Sequence, residues 1–182
     1  MLRNLFPLVM VFLLHSCNNS REPVKRIDIR NITFDIPSDF TVNKASSVDT
    51  NIYDILFNKR KIGSIYLGSY YQSFIENYSV TEEKEIYEKV RSKGARIYYS
   101  KYLEQDYKNG IFNNNYYYYD TINKNVAQIM LPKKLDKGLI GIYFDSIDVH
   151  KNKFVIISND LNEDNKSTFL KIFKTIKVKP TY

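Results

Sequence analysis

The sequence predicts an α+β fold in which a mostly antiparallel β-sheet is covered by two helices. Three observations lead to this prediction. Short apolar or alternating runs recur along the chain and are separated by turn residues, which is typical of strands. Two other stretches carry helix-capping residues and an apolar stripe at helical spacing. No segment repeats with a period of about 20–50 residues, so we expect a single domain over residues 27–179.

The strands are predicted from alternation and from the turns between them. The first, over residues 31–37, alternates Ile and Phe with polar residues and stops at a proline. The clearest hairpin turns at Asn58-Lys59-Arg60-Lys61, and Asn109-Gly110 marks a turn inside a polar loop. A brief extended tail closes the chain over residues 175–180. The pattern predicts about eight strands, over residues 31–37, 52–58, 62–68, 95–103, 115–121, 126–131, 139–147 and 153–158.

The two helices are expected over residues 81–92 and 163–174. The first opens with acidic residues, which the helix dipole favours at this end, and it closes at Gly94. The second follows the capping sequence Asp160-Leu161-Asn162-Glu163. Its residues Phe169, Ile172 and Phe173 lie on one apolar face, which we expect to pack on the sheet.

The first seventeen residues have the organisation of an export signal. Arg3 precedes an apolar run over residues 5–14, which is too short to cross a bilayer as a helix of about 20 residues. The run ends in Leu14-His15-Ser16-Cys17, which holds the single cysteine of the chain. This segment resembles the signal peptide of bacterial lipoproteins. The plainer alternative is an ordinary secretory signal followed by a free cysteine.

The lipoprotein resemblance implies a lipid anchor on Cys17 and a location in the cell envelope. Residues 1–16 would be removed, the Cys17 thiolate would carry diacylglycerol, and its new amino group would be acylated, for example by palmitate. Residues 17–26 would form a flexible tether to the domain. An aspartate directly after the lipidated cysteine resembles the inner-membrane retention signal of enteric bacteria, and this chain has Asn18 at that position. We therefore expect the protein on the periplasmic face of the outer membrane if the host is Gram-negative.

The net positive charge of the chain is typical of a solvated, lysine-rich surface and is also compatible with acidic partners. Removing residues 1–16 takes away one basic residue and leaves 26 basic residues against 20 acidic ones. The basic residues are spread over short runs at 59–61, 133–134 and 171–179. Such a surface suits anionic phospholipid, lipopolysaccharide or an acidic protein. We expect no nucleic-acid partner, because the domain works outside the cytoplasm.

The sequence offers few residues for catalysis. In the lipoprotein interpretation, His15 is removed with the signal peptide and Cys17 carries the lipid. His150 is then the one histidine left to act as a general base, and it lies in a predicted turn. Residues 160–165 offer oxygen ligands, but Asn165 and Lys171 stand where a calcium loop needs Gly and Glu. We therefore expect no catalytic residue, no metal site and no cofactor.

Tyrosines are the clearest candidates for binding. The run Tyr116, Tyr117, Tyr118 and Tyr119 lies on a predicted strand, where alternate side chains share a face. One face should belong to the core, and the other should expose two phenols about 7 Å apart. Tyr70-Tyr71 and Tyr98-Tyr99 repeat the arrangement. Exposed tyrosine is enriched in protein-binding surfaces, although helices on both faces would bury these rings.

Three features resemble the PsbP-like superfamily. They are residues 32–40 (strand, proline and aromatic), the hairpin that follows, and the closing amphipathic helix over residues 169–176. The resemblance implies an α/β/α sandwich, and members are often exported lipoproteins that bind proteins and share no catalytic set. Phe40 stands where many members have tryptophan. A looser similarity, in size and anchoring, connects the chain with lipoproteins that give immunity to toxins from neighbouring bacteria.

The sequence as a whole predicts a membrane-anchored lipoprotein with a non-catalytic, protein-binding domain. An immunity protein against a delivered toxin is its most concrete version. Two alternatives remain open: an envelope enzyme acting on glycan or peptidoglycan through paired carboxylates, and an assembly factor of the envelope.

Overall fold

The computed structural model describes residues 23–46, 51–74, 78–135 and 137–179. These residues form twelve strands and three helices. The helices are α1 (Lys84–Arg91), α2 (Leu103–Lys108) and α3 (Glu163–Thr175). The strands are β1 (Val24–Ile29), β2 (Ile32–Pro37), β3 (Phe40–Lys44), β4 (Asn51–Phe57), β5 (Arg60–Gly68), β6 (Ser79–Thr81), β7 (Ile97–Tyr99), β8 (Asn115–Ile122), β9 (Asn125–Pro132), β10 (Ile140–Phe144), β11 (Lys153–Ser158) and β12 (Lys177–Val178).

Seven strands form one antiparallel sheet in the order β3-β4-β5-β11-β10-β9-β8. A smaller antiparallel sheet has the order β1-β2-β12. Within the described ranges, β6 and β7 are the one parallel pair. The predicted α+β class with mostly antiparallel strands is therefore confirmed. The sheet order makes β3 and β8 the two edges of the large sheet.

The main core lies between one face of the large sheet and a layer made of α3 and the small sheet. Its largest fully buried side chains are five phenylalanines from four different elements: Phe34, Phe144, Phe154, Phe169 and Phe173. The Phe154 ring lies 6.1 Å from the Phe34 ring and 6.2 Å from the Phe144 ring. The apolar face predicted for the closing helix is confirmed, because Phe169, Ile172 and Phe173 are its buried residues.

The opposite face of the large sheet is covered around Phe74. Phe74 packs with Met130, Tyr143 and Val155 in a second apolar cluster. Gln128, on β9, holds the main chain of Phe74 from both sides: its Oε1 accepts from the Phe74 N–H at 2.7 Å, and its Nε2 donates to the Phe74 carbonyl at 2.9 Å. The ring lies directly over Gly141, where a Cβ atom would come within 2.7 Å of Phe74 Cζ.

In the small sheet, strand β1 was not predicted, whereas β12 lies within the extended tail predicted over residues 175–180. Strand β1 begins at Val24, so residues 24–26, which were assigned to the tether, pair with β2 instead. Polar side chains concealed this strand: Arg26 is exposed and pairs with Asp35 on β2 at 2.9 Å. Strand β3 was also not predicted. The first predicted strand, over residues 31–37, corresponds to β2.

The predicted hairpin between β4 and β5 is confirmed, with a tighter turn than expected. Asn58 and Lys59 alone connect the strands, and both have positive φ angles, of 50° and 65°. Two such residues form the type I′ turn that suits the twist of a hairpin. The strand predicted over residues 95–103 is reduced to β7, over residues 97–99.

Three helices occur where two were expected. Helix α1 is shorter than the predicted 81–92 and has no buried residue. Helix α2 lies in the region predicted to be a loop, and it also has no buried residue. The Asn109-Gly110 signal ends this helix: Gly110 has a φ of +72° and its N–H donates to the Tyr107 carbonyl at 3.1 Å. A six-residue polar helix carries too little apolar periodicity to be recognised in sequence.

Candidate functional site

The four predicted tyrosines lie together on β8, the edge strand of the large sheet. Opposite residues of an antiparallel pair point to the same face. Tyr116 and Tyr118 lie opposite Leu131 and Ile129 of the main core, so they point to the α3 side. Tyr117 and Tyr119 lie opposite Met130 and Gln128, so they point to the Phe74 side. The predicted alternation of the four side chains is confirmed.

The expectation that one face of β8 is core is wrong. Tyr116 is 41% exposed, Tyr118 39% and Tyr119 69%, so phenols are open on both sides of the strand. The reason is the edge position, because no strand of the described chain lies beyond β8 to extend the covering layers. The Tyr116 and Tyr118 rings stack with their centroids 6.4 Å apart, close to the predicted spacing.

Tyr117 is the fixed member of the four. Its ring stacks on Phe74 with centroids 6.5 Å apart, and its Oη accepts a long hydrogen bond from Asn113 Nδ2 at 3.5 Å. Because Phe74 is itself held by Gln128, the middle of β8 is attached to the second apolar cluster through one ring. The other three phenols are left as contact surface.

The Tyr118 phenol is a stable neutral group. Burial raises the pKa of Tyr118 above its ordinary value of 10.0, and the nearby Tyr116 and Asp120 raise it further. At neutral pH the hydroxyl can therefore both donate and accept a hydrogen bond. Flat rings with a polar tip and few rotatable bonds give contact area at low entropic cost.

The ends of β8 are anchored more firmly than its middle. Asn115 is buried, and its Oδ1 accepts from the Leu139 N–H at 2.6 Å. Ile122 is buried in the main core at the other end. In the turn that follows, Asn123 Nδ2 donates to the carbonyl of Ile176, after α3, at 2.7 Å. The strand is thus held at both ends and exposed between them.

The other tyrosine pairs do not repeat this arrangement. Tyr70 is 76% exposed, but Tyr71 packs against Tyr66 with ring centroids 5.0 Å apart. Tyr98 and Tyr99 are half-buried: Tyr98 lies against Phe112 and Tyr99 against Tyr87. Neither pair therefore presents two exposed rings stacked on one face, as Tyr116 and Tyr118 do on β8.

The residues considered for catalysis and metal binding have structural roles. His150 is exposed in a turn, and its N–H donates to Asp148 Oδ1 at 3.0 Å. Asn162 caps α3 by accepting from the Asn165 N–H at 2.7 Å, as the capping sequence predicted. Asp160 pairs with Arg60 at 2.8 Å. Among the described residues, no group of three or more His, Cys, Asp or Glu side chains could hold a metal ion.

Sequence reasoning missed a polar cluster at the end of the β10–β11 hairpin. The Tyr143 hydroxyl donates to Asp145 Oδ1 at 2.6 Å, and Lys153 Nζ lies 3.0 Å from the same oxygen. The Tyr143 hydroxyl and the Lys153 ammonium lower the pKa of Asp145, while Asp145 and then Tyr143 raise the pKa of Lys153. The signal was the predicted hairpin itself, which brings these residues close, but no motif marks them.

Lysines surround the two ends of β8. Lys124 lies in the β8–β9 turn, and Asn123 beside it also donates to the Lys174 carbonyl at 3.2 Å. At the other end, the Lys133 N–H donates to the Asn114 carbonyl at 2.7 Å, and Lys134 and Lys137 form a bridge just beyond. The Lys124, Lys134, Lys137 and Lys174 side chains are exposed.

In comparisons with known proteins, no protein-family model matches the chain, and no curated protein matches it significantly. Cys17 and the proposed signal lie outside the described residues. Of the helices that the structure describes, none has the length and apolar content needed to cross a membrane.

Proposed function

We propose that the protein is a membrane-anchored bacterial lipoprotein whose single domain binds another protein and catalyses no reaction. The observation that carries this proposal is the exposed middle of β8. Three of its four tyrosines are open to solvent on an edge strand that is fixed at both ends. A rigid, aromatic and amphipathic surface of this kind is typical of protein-binding sites.

The test of this proposal compares two tyrosines of equal exposure. Tyr119 on β8 and Tyr102 beside α2 are both 69% exposed. We expect Tyr119→Ala to weaken capture of the partner by about tenfold, which corresponds to a contact of about 1.4 kcal/mol. Tyr102→Ala should leave capture unchanged. Quantitative crosslinking to envelope proteins followed by mass spectrometry measures both.

The two variants should be equally stable, because both positions are mostly solvated. Urea unfolding of each therefore serves as the control for folding. Equal capture by Tyr119→Ala, Tyr102→Ala and the natural chain would contradict a binding site on β8.

The anchor is a separate part of the proposal and rests on Cys17. Acyl chains on its sulfur and amino group would hold the protein firmly in a membrane. The seven peptide steps from Cys17 to Val24 span at most about 25 Å. The domain would therefore work close to the leaflet, which we propose is the periplasmic face of the outer membrane.

Cys17→Ser tests the anchor directly. We expect this variant to move from the membrane fraction to the soluble fraction almost completely, because oxygen cannot replace the thioether. Mass spectrometry of the natural protein should show the mass of the acyl chains on residue 17. An unmodified thiol, or an unchanged fractionation of Cys17→Ser, would contradict lipidation.

The most concrete form of the proposal is an immunity protein against a toxin delivered by a neighbouring cell. Its support is the combination of small size, proposed anchoring and the exposed tyrosine surface of β8. A large toxin gene next to this one, and growth protection by the natural chain that Tyr119→Ala loses, would support it.

We also propose that the domain is a PsbP-like sandwich in which α3 covers one face of the large sheet. The support comes from β2 with Pro37, from the β4–β5 hairpin and from the amphipathic α3. The test compares the strand order of the large sheet, β3-β4-β5-β11-β10-β9-β8, with that of an experimental PsbP-like structure. A different order would contradict this proposal.

A further inference from the structure

We propose that the free edge of β8 binds an extended, acid-rich segment of the partner protein as an added β-strand. This inference rests on the proposed binding function and states how the partner is recognised and by what chemistry. It is carried by the main-chain geometry of β8, by the position of its tyrosines and by the lysines at its two ends.

The register of the β8–β9 hairpin identifies which main-chain groups face outward. The two-residue turn Asn123-Lys124 has φ angles of 46° and 74°, and Ile122 lies opposite Asn125. Residues that flank such a turn exchange hydrogen bonds, and the pattern then alternates along the strand. Even-numbered residues of β8 therefore bond to β9, and odd-numbered residues present their N–H and C=O groups to the outside.

Two further observations agree with this alternation. The carbonyl of Asn114, an even-numbered position just before β8, accepts from the Lys133 N–H at 2.7 Å. Pro132, which has no N–H, lies opposite the odd-numbered Asn115, where no donor is needed. The outward edge consists of Asn115, Tyr117, Tyr119 and Thr121.

The ends of this edge are closed, and its middle is open. The Asn115 N–H donates to Asn113 Oδ1 at 2.8 Å, and the Thr121 N–H donates to Asp120 Oδ1 at 2.7 Å. Within the described part of the chain, no strand pairs with the outward groups of Tyr117 and Tyr119. These two residues offer the donors and acceptors that an added strand needs.

The side chains suit the same occupant. An added strand would lie beside β8 in the sheet. Its side chains would meet Tyr117 and Tyr119 on one face and Tyr116 and Tyr118 on the other. Cross-strand contacts with aromatic rings are among the stronger pairs in sheets. The stacked Tyr116 and Tyr118 rings are already arranged side by side, so their side chains lose little conformational entropy on binding.

Charge complementarity selects an acidic partner. Exposed lysines lie at both ends of the open edge: Lys134 and Lys137 at one end, Lys124 and Lys174 at the other. Asp120, the carboxylate on β8, accepts a hydrogen bond from the Thr121 N–H. A segment with acidic side chains would meet positive charge as it enters and as it leaves the edge.

The experiment measures site-resolved hydrogen exchange of the mature chain in detergent micelles with two synthetic probes. One is a ten-residue peptide of alternating Glu and Val, and the other alternates Lys and Val. We expect the Glu peptide to slow exchange of the Tyr117 and Tyr119 amides by at least about tenfold. The Tyr116 and Tyr118 amides, already bonded to β9, should change little. The Lys peptide should slow none of them.

A pair of charge variants tests the electrostatic part. Lys134→Glu combined with Lys137→Glu should weaken binding of the Glu peptide by about tenfold at low salt. Lys89→Glu combined with Lys93→Glu, at two exposed positions on and just after α1, is the control with the same change of charge and should bind as the natural chain does. Equal binding of both peptides would overturn the acidic partner.

Two further outcomes would overturn the added strand: unchanged exchange at Tyr117 and Tyr119 with the Glu peptide bound, and no binding of that peptide. If Tyr119→Ala still weakens capture of the natural partner in either case, the proposed binding function stands while the added strand fails. Protection of both amides by protein concentration alone would overturn the acid-rich partner, because it would identify a second copy of the chain as the occupant of the edge.

Discussion

The two edges of the seven-stranded sheet differ in length, in side chains and in what holds them. Strand β3 has five residues and ends in the exposed Asn43 and Lys44. Strand β8 has eight residues, and most of its middle is exposed tyrosine. A short edge that carries lysine discourages pairing with another chain, whereas a long edge with aromatic side chains invites it. The comparison indicates that one edge is protected and the other is available.

The two edges are also anchored differently. At the start of β3, Phe40 is 5% exposed and packs against Phe57 with ring centroids 5.5 Å apart. Strand β8 is instead held at its ends by Asn115 and Ile122, and at its middle through Tyr117 on Phe74. Strand β3 is therefore held by a core residue at its start, whereas the exposed tyrosines of β8 lie between two anchored ends.

The largest effect is expected at the protected edge. Phe40→Ala should lower the free energy of unfolding by about 3–5 kcal/mol, because it empties a buried aromatic site. Partner capture under native conditions should be unchanged. Urea unfolding and the crosslinking assay measure the two quantities. If Phe40→Ala is fully folded under the assay conditions and still captures less partner, both edges of the sheet take part in binding.

An intermediate effect is expected from proline on β8, where neighbouring positions should behave differently. Proline at position 118 removes a donor to β9 and leaves a carbonyl unsatisfied, whereas proline at 119 removes only an outward donor. We expect Tyr118→Pro to cost about 1–3 kcal/mol more unfolding free energy than Tyr119→Pro. Urea unfolding measures the difference, and equal losses would refute the assigned alternation of the edge.

The smallest effect concerns alkaline pH. Because burial raises the folded-state pKa of Tyr118 above 10.0, its contribution to stability is complete below that pH and is lost as pH rises through the folded pKa. Tyr118→Phe should therefore lose less stability than the natural chain between about pH 9 and pH 11. Urea unfolding at both values gives the difference. Identical losses in the two proteins would assign the alkaline effect to other groups.

Most strands of the main sheet, and strand β2 of the small sheet, could be predicted from the sequence, whereas β1 and β3 could not. Strand β11 was predicted with its observed bounds, because its apolar side chains are buried on both faces and form a continuous run. Helix α3 was predicted to within one residue from its cap and apolar face. Strand β1 was missed because its polar side chains resemble a linker, and only pairing with β2 makes it a strand.

The candidate site was predictable in part. The alternation of the four tyrosines follows from strand geometry alone. Their exposure depends on the position of β8 at the edge, and the strand order brings together elements far apart in sequence, such as β5 and β11. Which phenols are open, and which main-chain groups face outward, could not be read from residues 115–122.

The sequence by itself determined the α+β class, the buried face of α3 and the spacing of the β8 tyrosines, because these depend on local periodicity and capping. Tertiary structure alone decided that β8 is an edge, that Phe74 holds Tyr117, and that the edge groups of Tyr117 and Tyr119 stay open. Pairing between distant strands sets these features, and no local pattern encodes which strand ends without a neighbour.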